Sequence, residues 1–168
     1  MAPLHPLPLL AFLALSSAGA AEPVVSRPGP AEVQGHVDVA AAPGAVFAVV
    51  AVPERVAEVA GDKTTASSVA DGDCLLVTTR TTHALGTATY QSRACQDGPW
   101  SVRQELVGGD LKAFSSRWWV EALPGGGARL HYWIRTVSKL PLPQFVVDRS
   151  AARSVEDLLA RLRDHVSS

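Results

Sequence analysis

Residues 74–95 read CLLVTTRTTHALGTATYQSRAC, and the fold turns on that stretch. Side chains alternate between faces along a strand, so a run with a period of two is a half-buried strand. Two such runs, 74–82 and 87–95, flank a tip at Ala84 and Leu85 and read as an antiparallel hairpin. Cys74 then faces Cys95, Val77 faces Ser92, Thr79 faces Tyr90 and Thr81 faces Ala88. Leu75, Val77, Thr79, Thr81, Ala88, Tyr90, Ser92 and Ala94 share one face. Cys74, Arg80, Gln91, Arg93 and Cys95 share the other, and the arginines mark it as the solvent face. The cysteines are directly opposite on that outer face, an arrangement that suits a cross-strand disulfide; two free thiols are the alternative. A slip of one residue would part them.

The same period continues outward from the hairpin. Strands are expected at 66–70 before it and at 100–107, 115–123 and 128–137 after it. The breaks are turn chemistry: Asp71-Gly72-Asp73, Asp97-Gly98-Pro99, Gly108-Gly109-Asp110 and Pro124-Gly125-Gly126-Gly127. Short connections make these strands successive antiparallel neighbours. Upstream, Val33, Gly35, Val37 and Val39 alternate with polar residues as another strand. Pro43 opens a short helix with Val46, Phe47, Val49 and Val50, and Pro53 opens a second through Val59. Leu140-Pro141-Leu142-Pro143 reads as a stiff extended connector. Ser150 is expected to cap a final helix, where Val155, Leu158, Leu159, Leu162 and Val166 form one apolar stripe. The expected architecture is α+β: a seven-stranded antiparallel sheet curled around one long C-terminal helix, with two short helices after the first strand.

That order carries a resemblance. The Pro-opened helix with Phe47, Gly109-Asp110-Leu111-Lys112 leading into Arg117-Trp118-Trp119-Val120-Glu121, the strand with Leu130, Tyr132 and Ile134, and the Pro-Leu-Pro approach to the last helix resemble the START-like (SRPBCC) helix-grip superfamily. The likeness runs from about Val33 to Val166 and is greatest to the polyketide cyclase/dehydrase and coenzyme Q-binding branch. It implies a curved sheet and C-terminal helix enclosing a cavity for lipid, quinone or polyketide.

The chain has 168 residues, 47% of them hydrophobic, which fits one domain with a real core. A formal net charge of -1 gives no electrostatic case for nucleic acid. The apolar run Leu7–Leu15, followed by Ala18-Gly19-Ala20, reads as a cleavable signal peptide. The run is too short for a membrane-spanning helix, so no stable membrane anchor is expected. The organisation expected is a signal peptide over 1–21, a Pro/Ala/Gly-rich linker over 22–32 and one START-like domain over 33–168. The fate is export, periplasmic or secreted, and the oligomeric state is left open.

Small and weakly polar residues on the inner face of the hairpin fill little volume, where a close-packed core prefers bulk. They suggest a hollow beneath the helix; the alternative is that Phe47, Trp118 and the helix leucines fill it. The expected lining is Phe47, Val77, Thr79, Tyr90, Ser92, Val102, Gln104, Trp118, Val120, Tyr132, Ile134, Leu158 and Leu162. Tyr90, Tyr132, Ser92 and Gln104 are candidates to orient a carbonyl or hydroxyl, or are hydrogen-bonded within the fold.

Chemistry beyond binding is thinly marked. The five histidines have no metal-ligand spacing, and no nucleophile elbow, P-loop or dinucleotide fingerprint occurs. Glu105 and Glu121 alternate outward toward Arg103 or Arg117, as do Trp119, Trp133 and His131. The reading is a carrier for an apolar ligand, with no cofactor and no catalytic residue assigned. A cyclase-type enzyme and an interaction module with a filled core are the alternatives.

Overall fold

The computed structural model describes residues 20–168. The stretch read as a signal peptide lies outside them but for Ala20 and Ala21. Eight strands form one antiparallel sheet: β1 (Val24–Ser26), β2 (Glu32–Val39), β3 (Thr64–Asp71), β4 (Cys74–His83), β5 (Gly86–Gly98), β6 (Ser101–Gly109), β7 (Leu111–Ala122) and β8 (Ala128–Ser138). Their spatial order is β1-β2-β8-β7-β6-β5-β4-β3. Helices α1 (Pro43–Val50) and α2 (Pro53–Ala60) follow β2, and α3 (Gln144–Ser167) ends the chain.

The hairpin of β4 and β5 has the register expected from alternation: Leu75 opposite Ala94, Val77 opposite Ser92, Thr79 opposite Tyr90 and Thr81 opposite Ala88. Cys74 and Cys95 are joined in a disulfide, with Cα atoms 4.5 Å apart. The sheet has eight strands, not seven, because β1 pairs with β2 inside the stretch read as a linker. Val24–Ser26 is too short, and too near prolines, for a period of two to show.

Prolines start both short helices. Ala42 is extended (φ −64°, ψ 144°) and Pro43 begins α1 with no side-chain cap, since a proline there gives up only an N–H that the first turn leaves unpaired. The last helix begins earlier than expected. Pro143 precedes it, Val146 N donates to Pro143 O at 3.0 Å, and Gln144 Nε2 bonds Asp148 Oδ1 at 2.7 Å, so Ser150 sits within the second turn and caps nothing.

One glycine brings the helix down onto the sheet. A Cβ on Gly35 of β2 would lie 2.7 Å from Leu159 Cδ1 and 3.1 Å from Val155 Cγ1, both on α3. The core forms there, with Val33 and Val37 (β2), Leu130 (β8), Val46 (α1), and Leu159 and Leu162 (α3) all at or below 1% exposure. A second glycine, Gly109 (φ +112°), allows β6 to pass into β7 through Asp110 alone. A Cβ there would meet Thr89 O and Tyr90 Cα at 2.5 Å, and Asp110 returns two bonds to the Thr89 backbone, both 2.9 Å.

Candidate functional site

α3 packs mainly on β2, then on β8, and α2 packs on β3. The helix therefore covers one half of the inner sheet face and stands away from β3, β4 and β5. Between them lies an open cavity of about 760 Å³. Its sheet wall comes from β3 to β8, its helical wall from α2 and α3, and the hairpin tip and the 138–142 connector flank its mouth.

Of the residues expected to line a cavity, Val77, Thr79, Tyr90, Gln104, Trp118, Tyr132, Ile134 and Leu158 line this one. Ser92 is fully buried behind Gln104. Val102, Val120 and Leu162 sit in the packed core instead, and Phe47, half-buried, packs against it. Val120 and Leu162 belong to β7 and α3, where α1 packs on β7 and α3 on β2 and β8. Sequence reasoning missed Phe114, Thr136, Leu85, Leu140 and Leu142, which also line the cavity. Phe114 was within reach of the period through Trp118, and Thr136 through Ile134. The mouth residues carry no periodic signal.

The wall is aromatic at its centre. Trp118 stacks on Tyr132 with ring centroids 3.8 Å apart, and Tyr90 meets Phe114 at 4.8 Å. Burial pushes the Tyr90 phenol up to about 12, against a smaller opposing pull from the Thr79 hydroxyl. Burial also raises Tyr132, with the nearby Tyr90 adding to it and Ser116 opposing. Both phenols stay protonated at ordinary pH, as donors and acceptors without charge. Ser92 Oγ donates to Gln104 Oε1 at 3.1 Å. Thr136 Oγ1 is buried with no hydrogen-bond partner among the described residues.

Charge is confined to the rim. The charged and titratable residues that line the cavity besides the tyrosines are Asp62, Lys63, His83, Asp157 and Arg161, and all are exposed. His83 is held below the usual histidine value by burial of its ring and then by Lys63, and its Nε2 lies 3.1 Å from Thr81 Oγ1.

The outer face of β6, β7 and β8 holds the remaining candidates. Trp119 lies flat on His131 at 4.6 Å, and the Arg117 guanidinium lies over the Trp119 ring at 5.5 Å. Glu105 accepts from Ser115 Oγ at 2.6 Å and Glu121 pairs with His131 Nε2 at 3.1 Å. Arg103 and Arg117 turn instead to Asp97, at 3.5 and 3.6 Å, because register sets the two arginines opposite each other.

An open antiparallel sheet gripping one long C-terminal helix, with a hollow left between them, is a helix-grip architecture. No protein-family model and no curated protein sequence matches the chain. Solved structures do. A START superfamily protein from Mycobacterium smegmatis superposes with a TM-score of 0.69 at 17% identity, over 80% of this chain and 96% of its own. The ZhuI aromatase/cyclase from Streptomyces sp. R1128 gives 0.70 at 16% identity, over 80% of this chain and 92% of its own. The human StarD13 lipid transfer and protein localization domain gives 0.66 at 14% identity, over 91% and 87%. The fold of this chain is START-like.

Proposed function

We propose that this chain is an exported binding protein that holds an apolar small molecule, a lipid, isoprenoid quinone or polyketide, between the sheet and α3. One observation carries the reading: a cavity of about 760 Å³ whose interior wall bears no charged side chain. Val77, Tyr90, Gln104, Trp118, Ile134 and Leu158 are the ligand contacts, with Ser92 behind Gln104. Removing roughly 300 Å² of ligand apolar surface from water yields about 7 kcal/mol before ordering costs, which needs no ionic anchor.

Two similar structures support the ligand class by their names, one a lipid transfer domain and one an aromatase/cyclase. Binding is favoured over catalysis by the wall itself. A general acid or base needs a group that titrates near the working pH. Inside the cavity only the two phenols ionise, and both are pushed away from that range. Export is supported by the leader-like run Leu7–Leu15 and by the Cys74–Cys95 disulfide, which oxidising compartments favour. No helix among the described residues is long and apolar enough to cross a membrane.

Native mass spectrometry of the mature protein from its own host, followed by solvent extraction, tests the reading. A discrete co-purifying apolar mass is expected. An empty protein that also takes up no neutral hydrophobic dye would overturn it.

A further inference from the structure

The inner wall is free of charge but not uniformly apolar. Ser92 is 0% exposed, and its hydroxyl holds the Gln104 amide by the oxygen. The Gln104 Nε2 donors, on the cavity wall, then have no protein partner among the described residues. Gln104 lies opposite Ser116, which lies opposite Ile134, so the amide sits at mid-sheet and not at the mouth. Thr136, on the same face of β8, has a buried Oγ1 with no partner. Among the described residues, the only cations bordering the cavity, Lys63 and Arg161, are exposed at its rim.

Three kinds of ligand end group would fare differently against that wall. A carboxylate would lose its water and face no cation, a large cost. A bare hydrocarbon would cover the amide donors and leave them unpaired, a smaller cost. A carbonyl oxygen would accept from the amide and restore what it lost to water.

Resting on the binding-protein reading above, we infer that the ligand is an uncharged carbonyl compound whose oxygen is received by Gln104 Nε2. A quinone or a polyketide fits this class and an ionised fatty acid does not. Ser92 acts through Gln104 as a positioning residue.

The test is displacement of N-phenyl-1-naphthylamine, a neutral dye with no carbonyl, from the mature protein by three matched chains: a long methyl ketone, the alkane of equal length and the corresponding fatty acid. The ketone is expected to displace the dye at a concentration about tenfold lower than either of the others. Gln104→Leu should reduce the ketone to the level of the alkane, both measured against that variant's own dye affinity, while circular dichroism is kept. Equal displacement by all three chains, preference for the fatty acid, or an undiminished ketone preference in Gln104→Leu would overturn the inference and leave the binding reading standing. A wild-type protein that binds neither the dye nor any chain would sink both.

Discussion

The inner face of β2 with the Leu130 end of β8, and the inner faces of β3, β4 and β5, belong to one sheet, yet they are built from different residues. The first carries Val33, Val37, Val39 and Leu130 and meets α3 through Gly35, with almost no exposed surface. The second carries Ala66, Thr79, Thr81, Ala88 and Tyr90 and faces the cavity. A protein interior is as dense as a molecular crystal wherever stability is being made. The packed half satisfies that rule and the hollow half departs from it. The hollow half is tied by other means: the hydrogen-bonded ladder, the packing of α2 on β3, and the disulfide between β4 and β5.

Substitutions can break or sharpen this contrast. Leu159→Ala, in the packed half, should lower stability by about 4 kcal/mol in chemical denaturation, because a fully buried leucine leaves a void. Thr79→Ala in the hollow half should cost under about 1 kcal/mol, and equal losses at the two sites would erase the distinction. Replacing Cys74 and Cys95 together by serine should cost about 3 kcal/mol, for a loop closed across a separation of 21 residues. Gly35→Ala should cost about 2 kcal/mol, since its methyl would press on Leu159 and lift α3. Ala88→Leu should change stability by less than about 1 kcal/mol, because its side chain has room, while weakening dye binding at least about tenfold.

The smallest effect is in pH. His36, across from His131 on the outer face, is held below the usual histidine value by burial, then by Arg129 and His131, with Asp38 and Glu121 opposing. The unfolded chain therefore takes up this proton first. The contribution is fully present above the ordinary histidine range and is lost as pH falls through it. Thermal scans between neutral and mildly acid pH should show a shallow loss, flatter in His36→Gln.

The contrast also explains how far the sequence could be read. Alternation assigns each residue to a face, and it did so for the hairpin, the disulfide, Gln104, Trp118 and Tyr132. It does not say where on that face the helices land. Val102, Val120 and Leu162 belong to the packed core, and Phe47 packs against it from α1. The landing site is written in Gly35, a gap among valines whose meaning depends on Val155 and Leu159, more than a hundred residues on. β1 and the true start of α3 escaped for a local reason: each lies beside prolines, where backbone pairing and the stop of a connector decide the structure and side-chain pattern decides little.

Gly35 has one more consequence, in terms of change over generations. By seating α3 on one side of the sheet, it separates the residues that hold the domain together from the residues that line the cavity. Substitutions at Thr79, Thr81, Ala88 or Gln104 can then accumulate without eroding the packing of Val33, Leu130 and Leu159. A lineage built this way can reshape its cavity in small steps, each one still folded.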